Sequence, residues 1–302
     1  MSQAVIMDRE ADGKDSNAQA KREAGFTGVQ RTLLATLVFR ALDNISDRPL
    51  LGDAFASQTL SRIDGGDELL ATAKGSFADR VSGLLPAMRA KLFDSWTADF
   101  CANHQGATIL HLGCGLDARS LRVRWQGEDR LWVDLDVPEV AEVRKQVMEP
   151  PETEDGAEYR IEASSVTEGD WLAKIPPSRP VLVVMEGLLV YLAEEDVYNL
   201  LGAILQHFQQ GGEIVLDATG TFLARCFEAA SSRFDEAIPM RFPLDDAQIL
   251  STKLKGLKLE TILYTPDLDG FSRLPFGMRS MFKLGQWAGV SGKFGSFVRY
   301  SF

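Results

Sequence analysis

A short apolar run, Thr108-Ile109-Leu110-His111-Leu112, climbs into Gly113-Cys114-Gly115 and then into Leu116-Asp117-Ala118-Arg119. A strand that passes at once into Gly-x-Gly and an acidic helix start is how a Rossmann-type sheet opens its nucleotide site. Glycine at 113 and 115 lets the backbone turn tightly and a ligand approach where a Cβ would block it. The string Gly113-x-Gly115-x-x-Ala118 also satisfies the dinucleotide fingerprint. The turn alone therefore admits two kinds of ligand.

The rest of the chain alternates in the way such a sheet requires. Strands read at 108–113, 130–136, 158–163, 181–186 and 213–218, with helical stretches between them. That order predicts a parallel sheet with helices on both faces. The clearest helix lies between the last two strands, where Val197, Leu200, Leu201, Ile204, Leu205 and Phe208 share one face. Glu194, Glu195 and Asp196 suit its positive end and Gly211 stops it. Further on, helices read at about 222–236 and 244–255, then a strand at 258–265. Residues 265–292, rich in Gly, Pro and aromatics, read as a loop with short helical pieces, and period-two alternation over 296–302 gives a last strand. Ahead of the sheet, helical patterns at 29–42, 53–63 and 77–103 follow one another without a Pro-, Gly- or Ser-rich linker. The expected organisation is a disordered tail over 1–20 and a single domain over 21–302. Within it, 21–105 form a helical cap and 106–302 a Rossmann core with lid insertions.

Charge and cysteine usage narrow the partners. A net charge of -11 argues against nucleic acid, which needs a basic face. Cys101, Cys114 and Cys226 are widely spaced, which is neither a disulfide framework nor a metal site and fits a reducing compartment. The longest apolar run, 181–192, is interrupted by Glu186 and too short to cross a bilayer, and the polar N-terminus has no leader-like core. The expectation is a cytoplasmic protein with no membrane, no nucleic acid and no metal, its oligomeric state open.

Two carboxylates fall where a ligand would meet them. Asp136 ends the second strand about 20 residues past the glycine turn, the separation at which an acidic residue takes ribose hydroxyls. The alternative, an N-cap role before Pro138, is compatible with it. Glu186 ends the fourth strand, at the sheet edge where α/β proteins bind ligands. A carboxylate there faces either a pocket or a buried ion pair, since an unpaired one is costly.

Taken together, Leu112-Gly113-Cys114-Gly115-Leu116-Asp117-Ala118-Arg119, Val133-Asp134-Leu135-Asp136-Val137-Pro138 and Glu186-Gly187-Leu188-Leu189-Val190-Tyr191-Leu192 resemble the leucine carboxyl methyltransferase family. The likeness is closer to its branch of polyketide-tailoring O-methyltransferases, the tetracenomycin type. The front segments 32–43 and 49–53 and Phe77-Ala78-Asp79-Arg80-Val81 resemble that branch too. The resemblance implies a class I methyltransferase sheet, mostly parallel with an antiparallel last strand, a helical block in front and an insertion before the last strand. It implies S-adenosyl-L-methionine as cofactor. Arg80 would hold the carboxylate of its methionine part, and Gly113 and Gly115 would pass beneath that part. Asp136 would take the ribose, and Glu186 would lie beside the sulfonium. The acidic residue that usually meets the adenine after the third strand is missing from 163–167, where Ser165 offers one hydrogen bond.

A cationic sulfonium is complemented by an acid such as Glu186. Methyl transfer then needs mainly alignment and exclusion of water, and a base only if the acceptor is a neutral hydroxyl. Of the three histidines, His111 is nearest the turn but reads more readily as a core residue than as a base, and Tyr191 is the candidate for lining the pocket. Residues 31–48 and the segment carrying Phe271, Arg273, Phe276 and Arg279 are the candidates for selecting a small-molecule acceptor, with an ordinary covering loop as the alternative. The expected activity is O-methylation of a hydroxyl or carboxylate in secondary metabolism. Carboxyl methylation of a protein C-terminus is an alternative within the same chemistry, and an NAD(P)-dependent oxidoreductase is one outside it.

Overall fold

A computed structural model describes residues 30–75, 81, 83–168, 170–231 and 238–302. Among the described residues, four helices come first: α1 (Gln30–Asn44), α2 (Ala54–Ser61), α3 (Gly66–Gly75) and α4 (Leu84–Asn103). The sheet strands are β1 (Thr108–Leu112), β2 (Leu131–Asp136), β3 (Glu158–Ala163), β4 (Val181–Met185), β5 (Gly212–Ala218), β6 (Lys258–Leu263) and β7 (Ser296–Ser301). They are joined by α5 (Arg119–Arg122), α6 (Pro138–Val147), α7 (Asp170–Ala173), α8 (Glu194–His207), α9 (Thr221–Ser231), α10 (Gln248–Lys253) and α11 (Phe276–Trp287).

All seven strands form one sheet in the order β3-β2-β1-β4-β5-β7-β6. The first five are parallel, and β7 runs antiparallel between β5 and β6. This is the mostly parallel sheet with an antiparallel last strand that the resemblance implied.

Side-chain alternation explains where the polar chemistry collects. On one face Leu110, Leu112, Val133, Val183, Met185, Ile214 and Leu216 pack under α8 through Val197, Leu201 and Ile204. On the other, Ile109, Trp132, Leu182, Val184 and Val215 pack against Phe93, Trp96 and Phe100 of α4. Continuing the second face by period two toward the carboxyl ends reaches His111, Asp134, Glu186 and Asp217, all buried. A core face that turns ionic at one end needs counter-charges from the elements above it.

The front helices supply them because they pack onto the glycine turn. Leu37, Val38, Ala41 and Leu42 of α1 join Leu60 of α2, Leu116 and Ala118 of the turn, and Val147 and Met148. Asp43 accepts the backbone N–H groups of Leu50, Leu51 and Gly52 at 2.8, 2.8 and 2.9 Å, which folds the α1–α2 connection back on itself. Asp53 caps α2 by accepting from Phe55 and Ala56.

Some elements differ from the periodicity reading. The stretch 265–292, which reads as a loop with short helical pieces, contains the twelve-residue helix α11. Pro275 stands just outside its first turn, where no N–H is lost, and Gly285 faces inward, where a Cβ would lie 2.6 Å from Phe294. The Gly65-Gly66 pair, read as a turn, also opens α3. The helix after the glycine turn is a single turn, because Trp125 buries itself and donates from Nε1 to the carbonyl of Ser120.

Candidate active site

The glycine turn is held from below. Gly113 and Gly115 have φ of +65° and +52°, the left-handed region where a side chain is strained. The N–H groups of Gly113 and Cys114 donate to the Leu135 carbonyl at 2.8 and 3.2 Å. Arg144 of α6 donates to the Gly115 and Asp117 carbonyls at 3.0 and 2.8 Å and to Asp134 at 2.5 Å. Asp136 accepts the Gly115 N–H at 2.7 Å and the Val137 N–H at 2.8 Å. Each carboxylate oxygen thus takes one backbone donor and keeps acceptor capacity for another. Burial, only partly offset by those two donors, raises the Asp136 pKa. Next to it, the Ser164 N–H donates to the Asp136 carbonyl, and the Ser165 hydroxyl pairs with Thr167 Oγ1 at 2.8 Å.

Glu186 has different company. Its carboxylate is met by Arg40 of α1 at 3.3 Å, by Arg89 of α4 at 2.9 Å and, at very short range, by Arg119 of α5. Asp117 accepts from Arg40 at 2.9 Å and lies 3.3 and 2.9 Å from Arg119 and Arg122. Asp94 takes Arg119 and Arg122, and Asp53 takes Arg122 at 2.7 Å. Arg89 also bridges to Asp217 at 2.9 Å, and Asp217 accepts the Gly187 N–H at 2.5 Å. Burial alone would push the Glu186 carboxyl up, but Arg89, Arg119 and Arg40 outweigh it and hold the pKa down to about 2. The Asp117 carboxyl is likewise held well below the usual range, burial again being outweighed by Arg119, Arg40 and Arg122. Between the two readings of Glu186, its contacts form a buried ion cluster.

His111 is committed to the same network. Its Nδ1 lies 3.1 Å from Asp134, and its Nε2 faces the Arg119 guanidinium at 3.1 Å. Because arginine only donates, Nε2 accepts and Nδ1 carries the proton. Tyr191 sits in the single turn Leu189–Tyr191 after β4. Burial raises its pKa, against a hydrogen bond with Thr32 of α1. Arg80 lies outside the described residues. In the segment before β7, Phe271 is buried, Phe276 is exposed, and Arg273 donates to the Arg48 carbonyl at 2.7 Å.

The structure therefore joins the glycine turn to Asp136 through the Gly115 N–H, sets Ser165 next to the Ser164 that bonds the Asp136 carbonyl, and places Glu186 and Tyr191 just after β4. The sequence reading missed the roles of Arg40, Arg89, Arg119, Arg122, Asp117 and Asp217. Asp117 and Arg119 stand in the turn motif itself, and a buried Glu186 demanded a cation, but neither signal says which arginine answers. Among the described residues no group of three or more His, Cys, Asp or Glu is arranged to hold a metal, and no helix is long and apolar enough to cross a membrane.

A mostly parallel sheet of this order, with β7 antiparallel between β5 and β6, is the sheet of the class I S-adenosyl-L-methionine-dependent methyltransferases. The leucine carboxyl methyltransferase family model matches residues 33–205. A relative in Gibberella zeae, the S-adenosyl-L-methionine-dependent methyltransferase dpfgK, is 35% identical over 294 residues, covering 93% of this chain and 98% of that one. The tetracenomycin polyketide synthesis O-methyltransferase TcmP of Streptomyces glaucescens is 37% identical over 234 residues, covering 78% and 82%. Among solved structures, a DUF574 family protein from Streptomyces avermitilis superposes with a TM-score of 0.55 at 11% identity, covering 88% of this chain and 96% of that one, a likeness of fold alone. The chain belongs to the leucine carboxyl methyltransferase family. It is an S-adenosyl-L-methionine-dependent methyltransferase, and the oxidoreductase alternative falls away.

The residues present fit that cofactor at its nucleoside end. Asp136 keeps acceptor capacity suited to a diol.

Proposed function

We propose that this enzyme methylates an oxygen of a small molecule of polyketide-like chemistry, and that the oxygen is already acidic: a carboxylate or an activated phenol. The observation that carries the second part is the state of the histidines. His111 Nε2 is occupied by Arg119. His104 and His207 precede β1 and β5, at the opposite ends of the strands, and bond the Phe100 and Ile175 carbonyls. Burial keeps the proton on Tyr191. An acceptor that ionises by itself needs none of them. The polyketide part is supported by the name of TcmP and by the length over which the two chains match.

The cofactor supplies an activated methyl group, so the protein's work is to bind, align and exclude water. Gly113 and Gly115 would floor the site, Asp136 would accept from the ribose, and Ser165 would meet the adenine. Arg80 would take the methionine carboxylate. Glu186 would act mainly through the arginines it fixes, because three guanidinium groups already neutralise and orient its carboxylate. Tyr191, tied to Thr32, would join α1 to the acceptor side and line the pocket. The free thiols of Cys101, Cys114 and Cys226 suit a reducing, cytoplasmic setting.

Incubation with methyl-labelled cofactor and a panel of aromatic carboxylic acids, acidic phenols, neutral alcohols and a peptide ending in leucine tests this. Label should enter the acids or acidic phenols. Equal transfer to neutral alcohols would point to a base, and transfer confined to the peptide would move the acceptor to a protein C-terminus.

A further inference from the structure

Helix α11 carries two apolar faces where an ordinary surface helix carries one. Its inner face, Met278, Phe282 and Gly285, packs on Phe294 and Phe271, with Phe282 and Phe294 ring centroids 5.4 Å apart. On the outside Met281, Leu284 and Trp287 follow one another at spacings of three, with Phe276 in the first turn. Trp287 is 85% exposed, Phe276 78% and Leu284 62%. The neighbouring helix α9 adds Phe222, Leu223 and Phe227, each about 40% exposed. Phe294 links the two, since its ring also meets Phe222 at 5.1 Å.

We propose that this α9–α11 face is a homodimer interface, covered by the same face of a second copy. Area supports that occupant. At roughly 150–250 Å² for a large side chain, these residues together offer about 700 Å² of apolar surface. A monomer's largest patch is usually about 300–600 Å², whereas each partner of a standard stable interface contributes about 800 Å². Composition supports it too: aromatic residues, Met and Arg are enriched at interface cores and carboxylates depleted. Helix α11 has no acidic residue and α9 has one, Glu228, in a chain of net charge -11. Small residues on the outer side of α11, Gly277 and Ser280, leave room for a facing helix to come close. A face that matches itself closes around a two-fold axis and stops at two chains.

Sedimentation velocity on the full chain at micromolar concentration tests this. The expected result is a species of twice the chain mass. Trp287→Glu should raise the dimer dissociation constant about a hundredfold, as for loss of a buried aromatic anchor, and Ser280→Glu, on the same side of α11, should do so independently. Calorimetry on each variant checks that it still melts cooperatively. A monomeric wild type overturns the proposal, and if that monomer pellets with vesicles of anionic lipid the face belongs to a membrane surface instead. A dimer that both substitutions leave intact overturns it as well, placing the interface elsewhere.

Discussion

Two strand tips carry an acid each, and they treat it in opposite ways. At the end of β2, Asp136 meets only backbone N–H groups, one from Gly115 and one from Val137. At the end of β4, Glu186 meets three guanidinium groups brought in by α1, α4 and α5. A carboxylate on backbone donors stays available to a ligand and pays for burial with a raised pKa. A carboxylate among arginines is ionised and part of the frame. Residue type and strand position are the same in kind. The difference lies in what packs above them: the turn over Asp136 offers only main chain, whereas α1 and α4 lower arginine side chains onto Glu186.

The largest effect that can break this contrast is on stability. Glu186→Ala should lower unfolding free energy by about 3–5 kcal/mol, because it leaves buried guanidinium groups without their counter-charge. Calorimetric melting of the variant without ligand measures it. A change below about 1 kcal/mol would mean that Glu186 is not part of the frame.

Acid separates the two tips by order. The Glu186 pKa is lowered, so its contribution is fully present above the ordinary carboxylate range and is lost as pH falls from about 4.3 through about 2. The Asp136 pKa is raised, so its proton binds at higher pH than an ordinary aspartate's. Affinity for S-adenosylhomocysteine should therefore fall first on acidification, and the ellipticity of the folded chain should fall later. Simultaneous loss of both would show that one group controls both.

Much of this was legible, and the rest was hidden for a physical reason. The glycine turn, Asp136 and Glu186 are local signals, readable from a strand pattern and the residue that ends it. The arginines are not. Glu186 draws Arg40, Arg89 and Arg119 from 146, 97 and 67 residues away, and pairings at that range leave no periodicity in the chain. Helix α11 was hidden differently, since Gly277 and Gly285 look like turn signals, and only the packing of Gly285 on Phe294 shows why a glycine belongs inside the helix.

Asp136→Ala should then act more on binding than on the frame. Loss of a charged hydrogen-bond partner for the ribose should weaken S-adenosylhomocysteine by about 1–3 kcal/mol, read by titration calorimetry. The unliganded melting temperature should fall, but by less than for Glu186→Ala, because the Gly115 and Val137 N–H groups lose their acceptor while an unfavourably buried carboxylate is removed. Unchanged affinity would take Asp136 out of the site.

The smallest expected effect belongs to Ser165, and it sharpens the comparison by extending it to the third strand. Its hydroxyl lies beside the Asp136 segment but is already shared with Thr167 Oγ1 and the Thr167 N–H. Ser165→Ala removes one neutral hydrogen bond to the ligand at most, so affinity should fall by about 0.5–1.5 kcal/mol, less than for Asp136→Ala. Ser165→Asp introduces the acidic residue that this segment lacks, with local N–H groups to hold it, and should recover or exceed wild-type affinity. If Ser165→Asp instead weakens binding as much as Asp136→Ala does, the adenine end is read by a carbonyl or an apolar wall. The third strand tip would then resemble neither of the other two.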